Sequence, residues 1–224
     1  MPETGVWALI VARVANGAKS RLAPALDVGQ RQDLALAMLA DVVDVCRAAR
    51  DVLSGVLAVV DEPAARRTVE RAGAIALVDP HPGDMNAAVR LGLQAVQRLG
   101  ARTAIVLPGD VPLISSEDLA RLVAGVYAAP RAVVVGVSRD GQGTNALLLR
   151  PVDVIAPAFG PPSVERHVRA GLAAGAVTRV EPNLGLALDV DTPTDLAALC
   201  DLPVGPHTAA LLERACVLLT PARS

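Results

Sequence analysis

Asp189 and Asp191 stand two positions apart at the end of the apolar run Leu186-Ala-Leu-Asp-Val-Asp191. In extended backbone that spacing turns both carboxylates to one side and points Val190 the other way, into a core. Two like charges so close need a cation between them. A hard ion such as Mg²⁺ is held by one or two carboxylates and completed by substrate phosphates, and Asp110, at the end of another apolar run, can share it. The competing task for such aspartates is helix capping. Thr192 and Asp195 already fit that task ahead of a helix starting at Pro193, so Asp189 and Asp191 are left without a structural role.

The complementary charge lies in Arg13-Val-Ala-Asn-Gly-Ala-Lys-Ser-Arg-Leu-Ala-Pro24, where Lys19 is the only lysine among 21 basic residues. An ammonium is a compact point charge and a guanidinium a planar fork, so a lone lysine between Gly17 and Arg21 marks a position that needs the former. Lys19 and Arg21 are close enough to converge on one triphosphate, and Gly17, Ala18 and Ser20 let the backbone approach it. A cation about 4 Å from a phosphate oxygen is worth roughly 4 kcal/mol at an effective dielectric of 20, before desolvation is subtracted. Taken alone, the loop reads equally well as a solvated basic turn. It is not a P-loop, and no G-x-G-x-x-G is present.

No nucleophile and base pair up. His81, His167 and His207 fall in a turn, a helix and a tail. An attacking phosphate would already be ionised, leaving only positioning and charge neutralisation for the protein to supply.

These side chains must be carried by a scaffold that the apolar patterns describe. Runs of strand length at Val6 to Ala12, Leu53 to Val60, Ile75 to Val78, Thr103 to Leu107, Arg131 to Val137 and Asn145 to Leu149 alternate with helical spacing. The helices run from Gln30 to Ala49, Ala64 to Ala72, Asp84 to Gly100, from Ser115 onward, from Val164 to Ala174 and from Thr192 onward. Short strands are expected at Val177 to Val180 and at Leu186 to Leu188. The alternation implies a three-layer α/β fold, a mostly parallel sheet with helices on both faces, in which ligands bind beyond the carboxyl ends of the strands. That rule selects the loops carrying Lys19 and Arg21, Asp110, and Asp189 with Asp191. We divide the chain into one main domain, 1–202, and a C-terminal tail, 203–224.

Composition narrows the partners. With 52% hydrophobic residues and a net charge of −2, the chain is neither disordered nor surrounded by a field for nucleic acid or anionic membrane. One Trp, one Tyr and one Phe leave no stacking platform for single strands. No apolar run approaches the ~20 residues of a membrane span. The start has neither the basic flank nor the length of a signal peptide, so a soluble, cytoplasmic protein is expected. Cys46, Cys200 and Cys216 read as isolated buried residues, in neither a disulfide nor a zinc site.

The basic loop A-K-S-R-L-A-P, Pro108-Gly-Asp-Val-Pro112, Gly143-Thr-Asn145, Phe159-Gly-Pro-Pro-Ser163 with His167 four residues on, and Leu188-Asp-Val-Asp-Thr-Pro193 occur in a telling order and spacing. The chain thereby resembles the phosphoenolpyruvate/2-phospho-L-lactate guanylyltransferases (CofC/FbiD type) of coenzyme F-420 biosynthesis, from about Val6 to Cys200. The resemblance implies a GT-A-like nucleotidyltransferase fold in which GTP and a three-carbon phospho-acid meet over Mg²⁺, two ions rather than one. Lys19, Arg21 and Asp110 would be catalytic. Arg13, Lys19, Arg21, Asn86 and Gly109 would hold the nucleotide. Thr144, the Gly160 backbone, Ser163 and His167 would form the acceptor site, while Asp110, Asp189 and Asp191 bind metal. In the family, an acidic or amide residue is frequent where this chain has Pro162, and an aromatic where it has Val164. The acid is phosphoenolpyruvate, 2-phospho-L-lactate or 3-phospho-D-glycerate; a homodimer is possible.

Three rivals remain at this point. A molybdopterin guanylyltransferase-like enzyme would open with a Gly-Gly-rich loop, where this chain has Ala12-Arg-Val-Ala15. A sugar-nucleotide glycosyltransferase also uses a D-x-D pair. A non-catalytic nucleotide-binding domain would retain the fold without the turnover.

Overall fold

The structure is a computed structural model that describes residues 5–15, 17–182 and 184–219, with the backbone alone at 184 and 214–219. Its first half repeats strand and helix: β1 (Val6–Ala12), α1 (Val28–Ala48), β2 (Leu53–Val60), α2 (Pro63–Arg71), β3 (Ile75–Val78), α3 (Met85–Arg98) and β4 (Thr103–Pro108). Then follow α4 (Ser116–Val123), β5 (Ala132–Val137), β6 (Thr144–Arg150), α5 (Ser163–Ala173), β7 (Val177–Glu181), α6 (Leu184–Ala187), α7 (Pro193–Leu199) and α8 (Pro206–Leu219). The strands form one sheet in the order β3-β2-β1-β4-β6-β5-β7. Only β6 runs antiparallel to its neighbours, because the tight turn from Ser138 to Gly143 folds it straight back on β5.

Alternation along each strand divides the core between the two faces. From β1, Ala8, Ile10 and Ala12 pack under α1, α2 and α4 with Leu39, Val43, Val69 and Leu119, while Leu9 and Val11 face Val89, Leu93 and Val96 of α3. Burial on both faces is why the central strands read as continuous apolar runs. The helix starts follow their caps. Ser115 with Asp118 and Thr192 with Asp195 close capping boxes, and Asp84 accepts from Asn86 N–H. A third box, Asp27 with Gln30, starts α1 at Val28, two residues before the sequence expectation.

A third apolar cluster lies at one end of the sheet and bears most directly on the site. Leu22 from the basic loop, Leu34 and Met38 from α1, Leu188, Val190, and Leu196 and Leu199 from α7 are buried together there. Leu212 of α8 joins them, and the α8 start is held by Asp41, which accepts from the His207 and Thr208 amides at 3.0 and 2.8 Å.

Two expectations need correction. Residues 184–187 form the short helix α6 instead of a strand over Leu186 to Leu188. The buried Asn145 amide donates to the carbonyls of Leu186 (2.7 Å) and Ala187 (3.5 Å), taking acceptors that a strand would have offered to a ladder. Cys200 is disulfide-bonded, not isolated, whereas the Cys216 side chain lies outside the described residues. Cys46 is a free core thiol that burial pushes up to about 12. Among the described residues no helix is long and apolar enough to cross a membrane.

Candidate active site

Beyond Ala12 the chain leaves the sheet and must turn back over its end. The Asp61 carboxylate, at the end of β2, accepts the Val14 amide at 2.8 Å and the Ala15 amide at 3.4 Å. Lys19 then adopts the left-handed conformation, φ 53°, the only non-glycine residue with positive φ among those described. Such a conformation costs roughly 1–2 kcal/mol and persists where the surroundings dictate it. Burial of Leu22 beyond it and the Asp61 anchor before it do so. Asp61→Ala is expected to lower stability by about 1–2 kcal/mol and to speed hydrogen exchange at Val14 and Ala15; unchanged exchange there would contradict the anchoring role.

The Lys19 side chain is only 7% exposed. Its Nζ donates to Asp110 Oδ2 and, at 3.0 Å, to Asp191 Oδ1. Burial opposes the ammonium charge, but Asp110 and Asp191 outweigh it and hold the pKa above its ordinary value. Arg21 lies outside, 75% exposed, with Nη1 3.6 Å from Asp191 Oδ2. The Asp189 carboxyl is pushed up, first by burial and then by the charges of Asp110 and Asp191. Three carboxylates thus share one corner with a single buried cation. Among the described residues no group of three acidic, His or Cys side chains is arranged to hold a metal ion. The donor set nevertheless suits one: all are hard carboxylate oxygens, and Asp189 faces like charges that a cation would relieve.

The turn Ser138–Gly143 and the start of α5 supply the opposite wall. Asp140 accepts from Ser138 Oγ (2.6 Å) and from the Gln142 and Gly143 amides, contacts that lower its pKa, while Val164 N–H reaches back to Gln142 O at 3.1 Å. Arg139 Nη2 donates to Asp195 Oδ1 at 2.6 Å, and Asp195 Oδ2 accepts the Asp191 and Thr192 amides. The turn is therefore tied to the segment between α6 and α7 that carries Asp189 and Asp191. Thr144, Ser163 and His167 form a buried polar line. Ser163 Oγ is 3.0 Å from Thr144 Oγ1, and His167 Nδ1 is 3.1 Å from the same oxygen.

Burial, with help from the Arg166 charge, lowers the His167 pKa from 6.5 to about 4. The unfolded chain then binds the extra proton between those values, so stability is complete above about pH 6.5 and declines as pH falls toward 4. Between pH 7 and pH 5 the expected loss is about 2 kcal/mol. Urea midpoints at the two values should fall more for the wild type than for His167→Asn, and equal falls would refute the assignment.

Most of the residues singled out by sequence come together around one cavity of about 720 Å³, within the range of small-molecule sites. Arg13, Lys19, Arg21, Gly109 and Asp110 line it, as do Asp189 and Asp191, and Thr144, Gly160 and Ser163 complete the wall. Gly109 is also a packing position, since a Cβ there would meet Ala12 Cβ at 2.6 Å. Asn86 and His167 do not line the cavity. Asn86 clamps the Phe159 backbone instead, accepting its N–H at 2.7 Å and donating to its C=O at 3.2 Å. Asp61 and Arg139 were not anticipated. Asp61 follows β2, and the rule that selects strand ends would have found it; Arg139 carried no signal beyond a charge at a turn.

Comparison with known proteins follows the same line. The family model described as Guanylyl transferase CofC like matches residues 6–223. The phosphoenolpyruvate guanylyltransferase of Conexibacter woesei is 39% identical over 213 residues, covering 93% of this chain and 95% of the relative. That of Geodermatophilus obscurus is 40% identical over 219 residues, covering 95% and 96%. Among solved structures, a candidate nucleotide-diphospho-sugar transferase from Desulfovibrio desulfuricans G20 matches with TM-score 0.71 and 15% identity, covering 96% of this chain and 97% of that one. A 4-diphosphocytidyl-2C-methyl-D-erythritol synthase from Anaerococcus prevotii matches with TM-score 0.63 and 10% identity, covering 97% and 100%. At such identities the structures speak for the nucleotidyltransferase-like fold alone, whereas the sequence matches reach further: the chain belongs to the CofC-like guanylyl transferase family.

Proposed function

We propose that this protein transfers GMP from GTP to the phosphate of a three-carbon phospho-acid, phosphoenolpyruvate first among them, with release of pyrophosphate, in the assembly of coenzyme F-420. The observation that carries this reading is one cavity lined both by a buried ammonium with three aspartates and by two buried hydroxyls. The first group suits a triphosphate and the second a small acid. The names borne by the family and its relatives point the same way.

A phosphate oxygen of the acid attacks the α-phosphorus of GTP, and the bond from that phosphorus to the oxygen bridging to the β-phosphate breaks. The acid phosphate is already ionised, so no general base is needed. Lys19, Arg21 and Arg13 take the charge of the triphosphate. Thr144, Ser163 and the Gly160 backbone orient the acid, and Asn86 keeps the Phe159–Gly160 segment in place. Mg²⁺ bound by Asp110, Asp189 and Asp191, two ions in our reading, would polarise the α-phosphate and neutralise the leaving pyrophosphate. We assign the activity to 1–202.

The test is a panel: GTP, Mg²⁺ and each of phosphoenolpyruvate, 2-phospho-L-lactate and 3-phospho-D-glycerate, following pyrophosphate and the guanylylated acid, with ATP and CTP as base controls. GTP-selective, metal-dependent formation of one guanylylated acid is expected. No product with any acid would overturn the reading.

A further inference from the structure

His167 is wholly buried and lies behind the cavity wall. Two polar neighbours fix its ring. The Ala158 N–H, 2.9 Å from Nε2, can only donate, so Nε2 carries the lone pair and the proton of the neutral ring sits on Nδ1. Nδ1 is 3.1 Å from Thr144 Oγ1, and it therefore donates to that hydroxyl. A flipped ring would turn carbon toward both partners, and Phe159 packs edge-on with centroids 5.0 Å apart.

The consequence follows from counting protons. Thr144 and Ser163 have one hydroxyl proton each, and one of the two serves the 3.0 Å bond between them. If His167 accepted from Thr144, the other would be used as well. Because His167 donates, one O–H remains. If Ser163 keeps it, the alternative is the Gln142 carbonyl, 3.5 Å from Ser163 Oγ and too long for a good O–H···O bond; if Thr144 keeps it, no other acceptor is bonded to it among the described residues. Both hydroxyl residues line the cavity. We infer that His167 is a positioning residue whose Nδ1–H leaves the Thr144–Ser163 pair one O–H to donate to an oxygen of the acceptor acid. Ionised carboxylates and phosphates only accept hydrogen bonds, so the direction of this relay decides whether the wall attracts or repels them. The inference rests on the acceptor site proposed above.

Two measurements on the full chain test it. Long-range ¹H–¹⁵N correlation at pH 7.5, with His167 assigned by its loss in His167→Asn, should show a neutral ring protonated at Nδ1. In kinetics, His167→Gln leaves an acceptor for Ala158 N–H but withdraws the donor from Thr144, whereas His167→Asn retains a donor near Nδ1. The Gln variant should raise KM for the acid about tenfold or more with KM for GTP nearly unchanged, and the Asn variant should restore most of the loss. A ring protonated at Nε2, a parallel rise in both KM values, or equal losses in both variants would overturn the inference. If the wild type guanylylates no acid, the proposed function fails, and the ring protonation alone then decides: Nδ1–H upholds the relay and Nε2–H ends it.

Discussion

Lys19→Ala is expected to lower kcat/KM for GTP by about 10²–10³-fold, the usual effect of removing one preorganised charge from a reacting phosphate or oxyanion. The side chain is almost fully buried and already bonded to two carboxylates, so it is held where triphosphate charge must be met without further ordering. KM for the acid should change far less, because Thr144 and Ser163 lie on the opposite wall. Equal losses for both ligands would remove Lys19 from the nucleotide end. Lys19→Arg should fare little better, since a planar fork replaces a point charge in a space between two carboxylates. Lys19→Gly separates backbone from charge. It relieves the left-handed strain at φ 53° and so should be at least as stable as Lys19→Ala, yet equally inactive.

Asp191→Asn carries the second large effect. Asp191 holds Lys19 at 3.0 Å and faces Arg21 at 3.6 Å, and in our reading it also binds metal. An amide of the same shape removes the negative charge and half the acceptor capacity, and pyrophosphate release from GTP with phosphoenolpyruvate should fall by about 10³-fold or more. The fold should survive, because the segment between α6 and α7 is held by Asp195, which takes the Asp191 and Thr192 amides and the Arg139 guanidinium. Asp189→Asn is expected to behave alike, its carboxyl being pushed up by burial and then by the neighbouring Asp110 and Asp191 charges. Near wild-type release by both variants in folded protein would sink the metal assignment; loss accompanied by a changed circular dichroism spectrum would instead place Asp191 in the scaffold.

Much of this was legible in local sequence because local physics decides it. Continuous apolar runs specify strands buried on both faces, and the Ser115 and Thr192 boxes start helices wherever the chain goes next. Val190, between two aspartates, announces that it points inward, and it is fully buried. The motifs around Lys19, Asp110, Thr144 and Asp189 marked the family. Tertiary structure decided the rest. No spacing rule reveals that Asn86 grips Phe159, 73 residues away, or that the Asn145 amide meets the Leu186 carbonyl, 41 residues away, in a stretch that is helical and not extended. The decisive contacts join Lys19 to Asp110 and Asp191, 91 and 172 residues along the chain. Charge alone does not bring them together, for solvated ion pairs at a surface are worth little. Leu22 and Val190 are buried in the same apolar cluster, and it is that burial which carries the ammonium to the carboxylates.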